Sequence, residues 1–395
     1  MPRQVSVIDE FRGIRNTVRP ERQPFGALAE ATNIVIDETS TLERRDGYVE
    51  SGGFTDLTAA YATYDGRRLF LVDNGGLHVR NATGFSGSLG TVGTEPLYWA
   101  EWGDTVYYAG ATQAGQIERG VDHRGLRVPI PSAVNVTTQT GVLSAGQYQV
   151  TAVYRNTTTG IEGAAGPFMT VLVDEGSALR IEAPTAPSGY TTDVYVSPPD
   201  AQELYFVGTL DGGVIVFNDS FEHYAKPLSI EQVNGASIPT GVVALAAQEA
   251  KLFAAIYDSS QDTSFVFWSR PYWPWIFNLK EDFFPVPFQV TGMMGTPEGV
   301  IVGTRREIYL YNDGQLKQLA DYGMPPGYPI ARDKDGVVAM WTERGVVTFP
   351  SFTNQFESKL SVPPGSFCST ALVNRKGQTY AMVMTNLDGV PFNAY

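Results

Sequence analysis

Leu69-Phe70-Leu71-Val72-Asp73-Asn74-Gly75-Gly76-Leu77-His78-Val79-Arg80 is the stretch that decides the fold class. An apolar run meets a cluster of Asp, Asn and Gly, the residues that tolerate the left-handed backbone of a tight reversal. A second extended run then alternates Leu and Val with His and Arg. The stretch predicts strand, turn, strand. The same plan recurs at Leu97-Tyr98-Trp99-Ala100, a turn at Gly103-Asp104, and Val106-Tyr107-Tyr108-Ala109 before a Gly-rich turn and Ile117. It returns at Leu252-Phe253-Ala254-Ala255, Val300-Ile301-Val302-Gly303, Val337-Val338-Ala339-Met340 and Thr379-Tyr380-Ala381-Met382. Second runs such as Ile308-Tyr309-Leu310-Tyr311 and Val346-Val347-Thr348-Phe349 follow. Units begin roughly 40 residues apart, the spacing of propeller blades, and about six can be counted. The expected fold is all-β, a β-propeller of about six blades. A sandwich or an irregular β-solenoid is the competing architecture.

The plan breaks between Val128 and Pro227. There Gly146-Gln147-Tyr148-Gln149-Val150-Thr151-Ala152-Val153-Tyr154 puts Tyr148, Val150, Ala152 and Tyr154 on one face of a strand. Met169 to Val173, Leu179 to Ala183, Thr192 to Val196 and Leu204 to Gly208 supply further short strands between Gly and Pro turns. About a hundred residues of this kind make a small β-sandwich. The expected domains are therefore residues 1–127, the N-terminal segment and first blades; 128–227, the inserted sandwich; and 228–395, the remaining blades. Val242 to Tyr257 is rich in helix formers (VVALAAQEAKLFAAIY). It is read as strand, tight turn and strand because Leu252-Phe253-Ala254-Ala255 occupies the repeating position.

Composition agrees with many short strands: the 395 residues include Gly 41, Pro 25, Tyr 20 and Phe 21, with 18% charged. Acidic residues number 42 against 28 basic, a net charge of −14. That balance argues against a surface built to grip phosphate backbones, while an acidic wall would let a duplex slide past without sticking. Cys368 is the single cysteine, so an intrachain disulfide and a thiolate metal cluster are excluded. MPRQVSVIDEF lacks the apolar core of a signal peptide, and no apolar run approaches the ~18 residues of a membrane helix. A soluble chain made in the cytosol, with no integral membrane segment, is expected. Its sequons at Asn81, Asn135, Asn156 and Asn218 are then chance matches.

Catalytic signatures are sparse. His78, His123 and His223 show no ligand spacing, and no phosphate-cradling Gly-Lys loop, G-x-S-x-G elbow or H-E-x-x-H is present. Asp333-Lys334-Asp335-Gly336 departs from the spacing of a calcium loop and reads as a hairpin turn. No enzyme activity, cofactor or metal is expected. The most unusual composition is Phe265-Val266-Phe267-Trp268-Ser269-Arg270-Pro271-Tyr272-Trp273-Pro274-Trp275-Ile276-Phe277. Two readings stand: a stacking platform for a ring-shaped ligand on a loop bearing Tyr272, Trp273 and Trp275, or aromatics buried against a neighbouring blade or subunit.

Asp9 to Tyr48 begins with Asp9, Phe11 and Gly13 and passes Pro20 and Pro24. It then reads Gly26-Ala27-Leu28-Ala29-Glu30-Ala31-Thr32-Asn33-Ile34-Val35-Ile36-Asp37 and closes on Leu42-Glu43-Arg44-Arg45-Asp46-Gly47-Tyr48. On its own residues it predicts a hairpin, Asn33 to Asp37 and a second run after Thr41, able to pair with a C-terminal blade and remove an open edge. The order of Phe11, Gly13, Gly26, Leu28, Asn33, Arg44, Arg45, Gly47 and Tyr48 resembles the opening of the tail hub and nozzle proteins of short-tailed bacteriophages, the packaged-DNA stabilisation proteins. Ser269, Pro271 and Trp275 are similar to that family's turn after a propeller strand. Tyr148 to Tyr154, followed by Asn156, Gly160 and Glu162, resembles a fibronectin type III or Ig-like domain. The resemblance implies a structural virion protein of the tail. It would form a homo-hexameric ring below the portal and adaptor ring, dock tail fibres or a tail needle, and let packaged DNA pass without sequence-specific binding. A glycan-binding or glycan-cleaving propeller is the alternative, and a host scaffold propeller a more distant one.

Overall fold

The computed structural model describes residues 15, 19–24, 27–28, 34–36, 42–44, 54, 56–81, 84–210, 213–219, 226–354, 364–375, 378–387 and 390–394. Among these residues the regular elements are strands, apart from one 3-10 turn at Pro20–Arg22. The protein is all-β, and among the described residues its strands pair antiparallel apart from one short parallel pair, mostly between neighbours in sequence outside residues 128–227. Two compact units emerge: Leu89–Pro287, and Met1–Ser88 together with Phe288–Tyr395.

In the Leu89–Pro287 unit, Tyr98–Trp102, Thr105–Ala109, Ala114–Glu118 and Asp122–Gly125 form a four-stranded meander. A second meander runs through Val242–Gln248, Lys251–Asp258 and Thr263–Arg270, where Trp273–Phe277 and Phe283–Pro287 both pair with the third strand. The two meanders share a core: Ala100, Tyr107, Ala109 and Ala114 of the first pack with Leu245, Leu252, Ala254, Phe267 and Phe277 of the second. Sheets more than a hundred residues apart in sequence are thus direct neighbours, and the chain between them is looped out of the contact.

That intervening chain folds as two facing sheets. One holds Asn135–Leu143, Ser177–Glu182 and Val214–Phe217; the other holds Glu162–Ala165, Gly146–Asn156, Tyr190–Val196 and Tyr205–Leu210, with Met169–Val173 also paired to Gly146–Asn156. Tyr148, Val150 and Ala152 point into the core between the sheets with Leu179, Ile181, Val194, Val196 and Phe217. The opposite face of Gly146–Asn156 is covered as well. Val153 packs with Tyr195, Leu204 and Leu228, and the buried Thr151 hydroxyl donates to Gly166 O at 2.8 Å.

The other unit holds three sequential meanders. They are Leu57–Ala62 to Gly84–Thr91; Val290–Thr296, Gly299–Thr304, Ile308–Asn312 and Gln315–Ala320; and Ile330–Arg332, Val338–Thr342, Gly345–Phe349 and Thr353–Asn354. A fourth sheet combines Cys368–Arg375, Gln378–Leu387 and Val390–Ala394 with Gly327–Tyr328, the last added in parallel. Gly327 is obligatory there: its φ is +117° and a β-carbon would lie 2.1 Å from the Cys368 carbonyl oxygen. Near the N-terminus Ile34–Ile36 pairs with Leu42–Arg44, so the expected hairpin forms. Among the described residues its strands pair with each other, and Gly327–Tyr328 is the strand that joins the C-terminal sheet.

Tight turns set the register. Asn74-Gly75 (φ 47° and 77°) and Asp313-Gly314 (47° and 76°) are left-handed at both central positions, the type I′ geometry that matches strand twist. Glu249-Ala250 adopts the same geometry (48° and 63°) without either favoured residue. Here burial overrides local preference: Val242, Ala244, Leu245, Ala246, Leu252, Phe253, Ala254 and Ala255 are all buried, which fixes this stretch as a hairpin despite its helix-forming composition. A left-handed Ala costs roughly 1–2 kcal/mol, while Gly gives back part of that as unfolded-chain entropy. Ala250→Gly is therefore expected to stabilise the fold by about 0.5–1 kcal/mol, seen as a higher urea midpoint at unchanged slope. A lower midpoint would contradict strain at this turn.

Candidate functional site

The aromatic run separates into buried and exposed parts. Strand alternation carries Phe267 and Phe277 into the core shared by the two meanders, while Trp268 stacks at a tilt near Phe253 (6.3 Å) and Phe284 (6.2 Å). Ser269 is fully buried and ends the strand's regular pairing: its hydroxyl oxygen accepts from Leu252 N at 2.9 Å, and the hydroxyl donates to Arg270 O at 3.1 Å. Pro271-Tyr272 is then a tight turn, and Trp273–Phe277, despite Pro274, returns as a strand rather than as the expected loop.

The three candidate aromatics meet different fates. Trp275 is half-buried against the core, and its indole N–H donates to the backbone oxygen of Glu162 at 2.9 Å, across 113 residues of sequence. Trp273 lies beside it, ring centroids 5.9 Å apart and tilted 37°. Tyr272 points outward, 71% exposed. Its backbone is left-handed (φ 63°) and is held there by its N–H donating to Ala250 O at 2.9 Å. The partner that sequence reading missed is Trp102, at the end of Tyr98–Trp102 and 40% exposed. Its ring meets Tyr272 edge to face, 5.9 Å between centroids and 61° between planes. A lone Trp before a Gly-Asp turn carries no sign of a partner 170 positions away.

Glu162 is the second feature that sequence could not reveal. Besides receiving Trp275 on its backbone, its carboxylate pairs with Lys226 and accepts from Tyr195 Oη and Gln232 Nε2, both at 3.3 Å. Burial and the adjacent Glu162 carboxylate push the Tyr195 phenol up to about 12, so it remains a donor. Lys226 also lies over the Phe206 ring at 5.2 Å. Backbone bonds reinforce the joint, Ala165 N donating to Gln232 O at 3.0 Å. The Trp275 bond ties the two-sheet insert to the Trp273–Phe277 strand, and the Gln232 bonds tie it to the segment that follows it.

Of the N-terminal candidates, Leu28 is half-buried and its carbonyl accepts from Arg15 N at 2.8 Å; Arg44 lies in the hairpin strand. Phe11, Gly13, Gly26, Asn33, Arg45, Gly47 and Tyr48 lie outside the described residues. So does His223. His123 is spoken for on both nitrogens: Nδ1 is 3.2 Å from Leu89 O and Nε2 is 2.6 Å from Tyr108 Oη. A carbonyl can only accept, so Nδ1 carries the proton and Nε2 receives the tyrosine O–H. Asp333 closes its turn by accepting from Asp335 N (3.0 Å) and Val337 N (2.9 Å), as a hairpin requires. No cluster of three or more His, Cys, Asp or Glu suited to a metal ion occurs among the described residues. Nor is any helix among them long and apolar enough to cross a membrane.

No protein-family profile matches the sequence, and no curated protein matches it. Solved structures to which the chain is similar include PorZ, an essential bacterial surface component of the type-IX secretion system of Porphyromonas gingivalis. That likeness has 10% identity and a TM-score of 0.21, over 92% of this chain and 57% of that one. Kluyveromyces lactis Hsv2p is similar at 9% identity and TM-score 0.32, over 86% and 97%. Porphyromonas gingivalis dipeptidyl peptidase 4 is similar at 10% identity and TM-score 0.29, over 83% and 48%. The chain thus spans little more than half of the PorZ structure and less than half of the peptidase. At such scores these likenesses add no weight to any functional reading.

Two outcomes follow from this geometry. Trp275→Phe keeps the ring but loses the bond to Glu162, and is expected to cost about 1 kcal/mol and to speed amide exchange at 162–165; unchanged exchange there would rule out the joint. Burial holds His123 below its ordinary value of 6.5. Its contribution to stability is therefore full above pH 6.5 and is lost as the pH falls from there through the lower folded-state value. The urea midpoint should drop between pH 7 and 5.5, and His123→Gln should flatten that slope.

Proposed function

We propose that this chain is a structural protein of a short-tailed phage virion, a hub or nozzle ring of the tail below the portal and adaptor. The observation that carries the reading is the order of residues from Asp9 to Tyr48, which resembles the opening of that family. The sheet arrangement supports it. Among the described residues, six sheets of meander type, beginning at Leu57, Tyr98, Val242, Val290 and Ile330 and closing with the C-terminal strands, suit a propeller of about six blades, and the two sheets between Val128 and Pro227 suit an Ig-like module. In this reading each sheet is a blade of one propeller, and the insert stands outside the ring of blades, fixed in direction by Glu162 and Trp275.

The charge of −14 per chain suits such a conduit. Multiplied by about six copies it would give a field that keeps a passing duplex from adhering, retaining packaged DNA by closure rather than by grip. Tail fibres or a tail needle would dock on the outer surfaces.

The deciding measurement is the native mass of the purified chain, alone and mixed with portal or adaptor rings from a short-tailed phage. A ring of about six chains, or assembly only on such a template, is the expected result. A monomer indifferent to both rings would overturn the reading.

A further inference from the structure

We propose that the exposed corner formed by Trp102 and Tyr272 binds a neutral pyranose unit of a polysaccharide. The two rings meet at 61° with centroids 5.9 Å apart, so they form a floor and a wall open to solvent. A pyranose fits such a corner chemically: its axial C–H groups form an apolar face that stacks on the electron-rich face of an aromatic ring. Its equatorial hydroxyls stay at the rim. There the turn after Trp102 and the turns bonded to it and to Tyr272 offer exposed polar groups in Asp104, Arg119 and Glu249.

Backbone strain is concentrated at the same place. Tyr272, Glu249, Ala250 and Arg119 are all left-handed without being glycine (φ 63°, 48°, 63° and 51°). Two bonds between turns hold them, Tyr272 N to Ala250 O at 2.9 Å and Arg119 N to Asp104 O at 3.0 Å. Strain of this kind, kept by mutual support, presents a side chain in a fixed direction and lowers the ordering cost of binding. The net charge of −14 on the chain disfavours uronates, sialates and phosphorylated sugars and selects a neutral one. Trp273 and Trp275, the pair that composition alone would nominate, are less suited. Trp275 spends its indole N–H on Glu162 and packs against the core, and Trp273 leans on it.

The site does not rest on the tail reading, and a ring seen by native mass would neither supply nor remove it. Its test is isothermal titration of the full chain with neutral malto-, cello-, manno- and galacto-oligosaccharides, and with alginate oligomers as the anionic counterpart. Saturable binding of at least one neutral series and none of alginate is expected, with a loss of about tenfold or more in both Trp102→Ala and Tyr272→Gly. Tyr272→Gly is chosen because glycine accepts the left-handed turn, so this variant decides the matter if Trp102→Ala disturbs its sheet. Trp273→Phe should bind as the unaltered chain does. The proposal is overturned if no neutral series binds at about 10 mM, if alginate binds equally well, or if binding survives in Tyr272→Gly.

Discussion

A strand pair buried on both faces has to be covered from both sides, and this requirement organises the molecule. Every residue of Val290–Thr296 and of Gly299–Thr304 is buried, and Val242–Gln248 with Lys251–Asp258 buries its inner stretches, Ala244–Ala246 and Leu252–Ala255. Such pairs cannot stand alone in water. Each needs a neighbouring sheet, and the cores show it: Met294, Ile301 and Ile308 of one meander lie with Val338, Met340 and Val347 of the next. Burial also dictates residue type. Small or flexible side chains fill the narrow space, and the threonine hydroxyls enclosed with them are satisfied locally, Thr291 Oγ1 by Met324 O at 3.0 Å and Thr296 Oγ1 by Gly299 O at 2.8 Å.

The strand pairs were legible because they obey two local rules, apolar runs and turn residues with left-handed freedom. Asn74-Gly75 and Asp313-Gly314 follow both. Glu249-Ala250 breaks the second, and there only the recurring position of Leu252–Ala255 gave the answer. Strands that escaped notice are the polar ones. Asn135–Leu143 is largely exposed and pairs along one side, so its Thr and Gln residues resemble a loop until a partner strand is known. Long-range chemistry left no trace: Glu162 is recognised as a joint only when Lys226, Gln232 and Trp275 are brought around it. Trp102 is likewise unremarkable until Tyr272 arrives beside it.

The joint at Glu162 has a consequence for the insert. A domain carried on two chain crossings would ordinarily swing about them. Here the crossings are supplemented by Gln232, whose amide donates to the Glu162 carboxylate and to Gly163 O, and by the Trp275 indole bond to the backbone of Glu162. Because both meet at Glu162, they are lost together rather than one at a time, and the insert keeps its direction cooperatively.

The same aromatic strand therefore serves two opposite purposes, and alternation decides which. From Trp273 onward the side chains that matter turn toward the core and the insert, while the single residue placed in the turn, Tyr272, is excluded from both. Its left-handed backbone prevents the ring from folding back onto its own strand and delivers it to Trp102 on the adjoining meander. Two large aromatics left in solvent on an acidic protein are an unfavourable arrangement unless something covers them. The net charge of the chain discourages a polyanion and a second acidic copy alike. An uncharged partner with an apolar face and a hydroxylated rim meets both conditions, which is why the exposed corner and the charge of the chain point to the same class of ligand.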